Sequence, residues 1–473
     1  MTDLYLSEPR LSTLCPSPAD VARFVPFACN QLQAPFMVKV LVKTQDEYVS
    51  KTEEKNRKMN KFKPAIQHNT SNESQSKVSV PTPPLNVYAD RHVILIIAMT
   101  DVVGHLVELI FCRCPDIPRL LIKIIGMCVP FHPYLNKLTL RWGPLTGPTL
   151  YEVAKLMPLS NITELNLDDS PVAECNYYML LVEETRLRYL SLGRCNIDDN
   201  NCVLIASKLI HPLPAARTLV ILSLASNFIS DVGACALGEA LRSNRSLQYL
   251  NLSGNQIGHT GAASILSSLM EFPLTCDELV TKRQRLMKYF KTKQEVYAKC
   301  YKELMTTLER SHDEYSRSGK RKTIVATRGK KSSITSAFTT TGISTFDPIA
   351  LRAELMSAEL VGNYTDPFTT EETVCHDNHV HCVGNTTLCY LNLEYNQLSY
   401  LSTVKLLEVV KYQSQLAQKA AAGLLRVQLA GNPLPIGCYE LDTVQDLLDK
   451  AVLCRISKQQ KRSERSVRSV KSK

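Results

Sequence analysis

The sequence predicts an α/β fold: a curved horseshoe made from a repeated strand-and-helix unit, with a parallel sheet on the concave side, helices on the convex side, and disordered arms. Three observations predict it. The pattern L-x-x-L-x-L-x-x-N, with Ile or Val for Leu and Gly, Ser or Cys for Asn, occurs seven times. Its central apolar residues are Leu138, Leu165, Leu190, Leu222, Leu250, Leu391 and Val427, and the first five lie 27, 25, 32 and 28 residues apart. Between the strand-like cores, ACALGEAL and AASILSSL bring apolar residues round at helical spacing. A fixed period near 28 residues is the mark of stacked leucine-rich coils that bury one continuous core.

Each position in the pattern has a physical task. Side chains alternate along a short strand, so the two Leu of L-x-L point inward and their neighbours outward. Asn227, Asn255, Asn396 and Asn432 end their strands. There an amide can pair with backbone groups of adjacent coils that would otherwise be buried without partners. Cys195 replaces the amide in one repeat. Gly233 and Gly261 mark the strand-to-helix corner, where we expect backbone freedom to be needed. Gly254, Gly258 and Gly261 also suggest a phosphate-binding loop. However, no lysine follows them as a phosphate loop requires.

The regions outside the repeats divide by composition. Residues 1–85 are polar and weakly periodic and read as a mostly disordered arm, with one extended segment near Phe36–Val42. The start, MTDLYLSEPR, has an acid and no apolar core, so it does not read as a secretory signal. A solenoid with an N-terminal cap is expected over 86–272. Within it, Val93–Phe111 is the most membrane-like stretch, but Asp101, His105 and Glu108 argue against a span. It reads as a strand followed by a capping helix. The sixteen cysteines lack disulfide-type spacing, which suits a reducing compartment.

Repeat six begins only at Leu388, so a long insertion separates it from repeat five. The insertion opens with an amphipathic helix over 273–314, where Leu279, Leu286, Phe290, Tyr297, Tyr301 and Leu308 form one stripe. That stripe either packs on the repeats themselves or projects to dock on another protein. Residues 315–385 read as a disordered insertion, basic and then acidic. The last repeats and a C-terminal cap are expected over 386–453, and a basic tail over 454–473. The net charge of +10 sits mainly in the appendages: residues 281–331 hold 16 Lys/Arg against 5 Asp/Glu, and 347–378 hold 1 against 7. Such blocks either keep the chain soluble or bind acidic partners, among them tubulin tails, nucleic acid or an anionic membrane.

Candidate chemistry is sparse. Cys375, His376, His379, His381 and Cys382 carry zinc-type donors but not the usual paired spacing, so the expectation is no metal. The sequence has no G-x-S-x-G and no H-E-x-x-H, so neither a catalytic nucleophile nor a cofactor is proposed. The surface expected to work is the concave sheet. Its first outward column reads Lys137, Glu164, Tyr189, Ile221, Tyr249, Tyr390, Arg426, and its second reads Thr139, Asn166, Ser191, Ser223, Asn251, Asn392, Gln428. Tyr189, Ile221, Tyr249 and Tyr390, with Ser191, Ser223, Asn251 and Asn392 beside them, are the expected partner-binding residues. Aromatics framed by small polar groups are typical of binding hot spots. The plainer reading is lateral packing across the sheet.

The long-helix repeats at Asn227–Leu241 and Asn255–Leu269 resemble the ribonuclease-inhibitor-like class of leucine-rich repeats. NIDD at 196–199, RTLVILSLASNFISDVGA at 217–234, SNRSLQYLNLSGNQIGHTGA at 243–262 and the late pair around LCYLNLEYNQL and LLRVQLAGNP resemble, more closely, the leucine-rich-repeat-containing protein 71 group. The resemblance covers about 115–310 and 386–450. It implies a non-enzymatic cytoplasmic protein, and because similar solenoids are often built into ciliary and cytoskeletal assemblies, an axonemal scaffold is the preferred expectation. The class also includes activators of small GTPases that work through an asparagine or acidic loop, for which only Asp168–Asp169 and Asp198–Asp199 can be nominated. Nucleic-acid binding through the basic arms is the third expectation.

Overall fold

The computed structural model describes residues 15–44, 93–112, 116–141, 143–318, 347–376, 379–416, 423–435 and 437–471. The polar run at 51–79 and the proline cluster near Pro81 lie outside the described residues. The chain forms two compact units, Met1–Phe272 with Val383–Lys473, and Pro273–Cys382.

The first unit opens with helix α1 (Val21–Gln31), capped by the Asp20 carboxylate on the Arg23 amide, and strand β1 (Met37–Thr44). Both lie inside the segment expected to be an arm. Strands β2 (Val93–Thr100) and β3 (Leu106–Cys112) then form an antiparallel hairpin. The capping helix expected after β2 is therefore a second strand. Asp101 Oδ1 accepts the amides of Val103 and His105, and Gly104 has φ +95°, so the chain reverses there. Beyond the turn, Leu109 and Phe111 alternate inward while Glu108 and Ile110 face the other way, a two-residue period hidden by the overall apolar character.

Helix α2 (Arg119–Cys128) leads to β4 (Lys137–Arg141), α3 (Gly147–Leu156), β5 (Glu164–Asn166), β6 (Tyr189–Ser191), α4 (Asp199–Lys208), α5 (Ala215–Thr218), β7 (Ile221–Ser223), α6 (Asp231–Ser243), β8 (Tyr249–Asn251) and α7 (His259–Ser267). Strand β9 (Phe272–Pro273) stands at the junction. The second unit contains α8 (Cys276–Ser318), α9 (Pro348–Val361), β10 (Thr373–His376) and β11 (His379–Cys382). The first unit resumes with β12 (Tyr390–Asn392), α10 (Tyr400–Leu416), β13 (Arg426–Gln428) and α11 (Tyr439–Lys471).

Among the described residues, ten strands form one sheet in the order β1-β2-β3-β4-β5-β6-β7-β8-β12-β13. From β3 to β13 every neighbouring pair is parallel, and the central residues Leu138, Leu165, Leu190, Leu222, Leu250, Leu391 and Val427 stand in one register. The first six are no more than 1% exposed, and the second inward row, Leu140, Leu167, Leu192, Leu224, Leu252 and Leu393, is equally buried. Each such leucine contributes about 1.5–3 kcal/mol on burial. The sheet is open, with β1 and β13 as its edges, and it is not curled. This corrects the expected horseshoe arc. Curling needs an outer layer of helices about 8–10 Å apart over strands about 4.8 Å apart. Here the coil after β5 carries only the short 3-10 turn Tyr177–Leu181 in place of a full helix.

In the second unit, α9 packs along α8. Leu279, Leu286, Tyr297 and Tyr301 are half-buried, while Phe290 and Leu308 stay exposed. The Arg285 guanidinium donates to Asp366 at 2.6 Å, where the carboxylate is fully enclosed. Burial raises the Asp366 carboxyl, but Arg285 and the Phe368 amide outweigh it and hold the group below its ordinary range. Tyr364 also donates to Asp366, and burial pushes its phenol up to about 12. Residues 347–376 and 379–382, expected to be disordered, are thus a helix, an ion-paired turn and a hairpin.

Candidate protein-interaction surface

On the sheet face opposite the core, the parallel register sets Glu164, Tyr189, Ile221, Tyr249, Tyr390 and Arg426 side by side. Tyr189, Ile221, Tyr249 and Tyr390 are half-buried. The rings of Tyr249 and Tyr390 stack with centroids 4.1 Å apart and planes 4° from parallel, and the Arg426 guanidinium lies 6.0 Å from the Tyr390 centroid. Burial, with the neighbouring Tyr390 hydroxyl, pushes the Tyr249 phenol up to about 12, so it stays a neutral donor at physiological pH. At the other end Lys137 bridges Glu108 at 3.6 Å and Glu164 at 3.7 Å.

The second column differs from its expected role. Ser191, Ser223 and Asn392 are only 3%, 8% and 6% exposed, and Asn251 is half-buried. Ser191 Oγ donates to Asp168 Oδ1 at 2.6 Å, and Asn251 and Asn392 each accept the amide two residues on. Ser191, Ser223 and Asn392 serve the sheet, and the accessible part of the face is formed by the first column together with Asn251.

The strand-ending amides bind successive coils together. Asn227 Oδ1 accepts the amides of Cys195 and Ile197, and its Nδ2 donates to Leu192 O and Leu224 O. Asn255 accepts from Ile229 and donates to Leu224 O and Leu252 O. Asn396 accepts from Ile257 and donates to Leu252 O and Leu393 O, although 141 residues separate it from Asn255. Asn432 accepts from Asn396 and Leu398. Cys195 donates its thiol to Leu167 O at 3.2 Å in the same role. A second ladder escaped the sequence reading. Asn244 Nδ2 donates to Leu209 O, and Asn385 Nδ2 donates to Leu241 O and Asn244 O. The signal was available, because both stand three residues before the first leucine of a repeat.

A third series joins the helix starts. Asp199 Oδ1 accepts the amides of Ser230 and Gly233, and Asp231 Oδ1 accepts those of Gly258 and Gly261. Each carboxylate caps the next coil's helix, where partial positive charge collects. The amides of the suspected phosphate loop are therefore already taken within the chain, those of Gly258 and Gly261 by the Asp231 carboxylate and that of Gly254 by the Glu394 carbonyl. The role expected for Gly233 and Gly261 also changes. They sit in the first turns of α6 and α7, and a Cβ would meet Asp199 Oδ1 at 2.8 Å or Ala234 Cβ at 2.7 Å. Close approach of neighbouring coils, not backbone freedom, requires glycine there.

The acidic turns nominated for GTPase regulation are engaged in the same way. Asp168 accepts from Ser191 and the Gly193 amide, Asp169 is paired with Arg194, and Asp198 caps α4 through the Asn201 amide. The cysteine–histidine cluster is divided by the β10/β11 hairpin. His376 opposes His379, Val374 opposes His381, and Thr373 opposes Cys382, so the three histidines share one face and Cys375 and Cys382 share the other. Among the described residues, no group of three or more His, Cys, Asp or Glu side chains is placed to hold a metal ion. No described helix is long and apolar enough to cross a membrane.

Residues 243–266, which span the turn before β8, β8 itself and most of α7, match the family model described as Leucine Rich repeat. This stretch is thus similar to one leucine-rich repeat, a kind of unit that serves as a protein-interaction module and is typically without catalytic activity.

Proposed function

We propose that the repeats stack as a leucine-rich-repeat solenoid that acts as a non-enzymatic scaffold, capturing a protein partner on the outward face of its sheet. The observation that carries this reading is the apolar row Tyr189, Ile221, Tyr249, Tyr390, three tyrosines and an isoleucine, continuous over four neighbouring strands and partly open to solvent. Rigid, partly exposed aromatics on a regular sheet lose little entropy when a partner covers them. The basic segments favour a second, acidic partner, of which tubulin tails are one candidate. The resemblance to the leucine-rich-repeat-containing protein 71 group favours a cytoplasmic, ciliary or axonemal setting.

Proximity labelling in ciliated and non-ciliated cells would identify the partner, and titration of the purified pair would then test the surface. Tyr189→Ser with Tyr249→Ser should weaken binding about 30-fold or more, the scale of losing hot-spot side chains, while leaving the folded content unchanged. Binding that survives the double variant would show that another face is used. The GTPase-regulator reading predicts stimulated GTP hydrolysis, and the engagement of Asp168, Asp169, Asp198 and Asp199 in structural contacts weighs against it. Nucleic-acid binding through the basic arms would instead show a steep salt dependence without sequence preference.

A further inference from the structure

The helical layer of the first unit carries a second surface, independent of the aromatic row. Three cations converge on one carboxylate oxygen there. Arg119 donates through Nε and Nη2 to Glu152 Oε1 at 2.8 and 2.5 Å, and the ammonium groups of Lys123 and Lys155 each lie 4.0 Å from that atom. Glu152 is 9% exposed, whereas the three cationic side chains are 47%, 46% and 52% exposed. One negative charge faces three positive ones, so the cluster keeps a surplus of two positive charges at the solvent boundary. Burial raises the Glu152 carboxyl, but Arg119, Lys155 and Lys123 outweigh it and hold the group ionised. Its single charge is already fully committed, and the ammonium groups repel each other across it.

The same two helices expose apolar side chains next to the cations. Arg119, Lys123 and Met127 follow one another at four-residue steps on α2, so they line one side of it. Tyr151 and Lys155 do the same on α3, and Leu159 ends the 3-10 turn that continues it. Met127, Tyr151 and Leu159 are 54%, 41% and 78% exposed. The helices are packed together, with Gly126 placed so that an added Cβ would stand 3.7 Å from Leu156 Cδ1. The surface between them thus offers a cationic cluster and, a turn further on, an apolar stretch.

We propose that this α2–α3 surface docks an acidic amphipathic helix of a partner protein. Carboxylates of the partner would complete the charge around Arg119, Lys123 and Lys155, and its apolar side chains would cover Met127 and Leu159. Nucleic acid fits less well. Its phosphates need cations spread along a track, whereas these three meet at a point. The test uses the full chain and a labelled synthetic helical peptide with one row of Glu and one of Leu. Controls are a scrambled peptide of the same composition and a single-stranded oligonucleotide. At 0.15 M salt, Lys123→Glu with Lys155→Glu should weaken peptide binding at least tenfold, and Met127→Ser with Leu159→Ser about fivefold. Tyr189→Ser with Tyr249→Ser should leave it unchanged, which separates this surface from the sheet face. Carbodiimide cross-linking should join peptide carboxylates to Lys123 or Lys155. Because Lys123, Lys155, Met127 and Leu159 are exposed, circular dichroism should report an unaltered fold for the variants at those positions. Equal binding of the scrambled peptide or the oligonucleotide, unchanged affinity of the charge-reversed variant, or cross-links confined to lysines of α8 and the tail would overturn the proposal.

Discussion

Replacing Asn255 by Ala tests whether the amide ladder holds the coils together. Asn255 is 7% exposed and lies in the interior of the ladder. Its Oδ1 is the acceptor for the Ile229 amide at 3.1 Å, so alanine leaves that buried N–H without this partner. The two main carbonyls fare better. Leu224 O also accepts from Asn227 Nδ2 at 2.9 Å, and Leu252 O from Asn396 Nδ2 at 2.9 Å. Each keeps one hydrogen bond. One orphaned buried donor costs about 1–3 kcal/mol, and two weakened carbonyls add about 0.5–1 kcal/mol together. The expected loss is therefore about 1.5–4 kcal/mol. Asn432→Ala, in the half-exposed last coil, should cost only about 1 kcal/mol, because water can replace its side chain. Urea unfolding of both variants, with the slope held constant to exclude a change in the unfolded state, measures the difference. A loss below 1 kcal/mol for Asn255→Ala, or an equal loss at Asn432, would refute the view that interior amides bind the coils.

Gly233→Ala should destabilise the chain by about 1–3 kcal/mol through overpacking against Asp199 and Ile229, read as a fall in the midpoint of thermal unfolding. Asp199→Asn should cost about 1–2 kcal/mol at pH 7 by weakening a charged helix cap. Although burial raises the Asp199 carboxyl, hydrogen bonds from Ser230 and Gly233 hold it below its ordinary value. Its stabilisation is thus complete above pH 5 and lost as pH falls through the lowered value, so the gap between wild type and variant should close only as the pH is taken below the ordinary aspartate range. Replacing residues 273–382 by a short glycine–serine linker should leave a cooperatively folding chain. The reason is that the Asn385 amide donates to Ser268 O at 2.8 Å, which puts the two ends of the excision side by side.

The repeats were legible because one constraint acts on every copy. A residue such as Leu222 must be apolar, and its neighbours must alternate, so the pattern survives in the letters themselves. The hairpin of β2 and β3 was misread because an apolar run of that length does not distinguish strand from helix. The turn at Asp101 depends on backbone amides reaching its carboxylate, a contact that leaves little trace in composition. The folded half of the insertion was hidden for a different reason. Its enclosed Arg285–Asp366 pair joins residues 81 positions apart, and charge counting sees only two opposite blocks. At the candidate site, the aromatic row could be aligned from the repeats, but the burial of Ser191 and Ser223 could not. Which small polar groups sink between larger neighbours is settled by packing rather than by period.

An insertion of more than a hundred residues between β8 and β12 leaves no mark on the sheet, and the reason lies in the contacts. Each coil bonds only to its neighbours, so the chain may leave after any helix if it returns in register. It does return in register. Leu391 pairs with Leu250, Asn396 reaches Leu252 O as Asn255 reaches Leu224 O, and Tyr390 stacks on Tyr249. The stacked pair is the part of the aromatic row that a register slip would destroy first, because a one-residue shift turns every side chain to the other face. Ladder and aromatic row therefore depend on the same event. The amides of Asn255 and Asn396, buried and without catalytic chemistry, fix the alignment that makes the half-buried tyrosines a single surface.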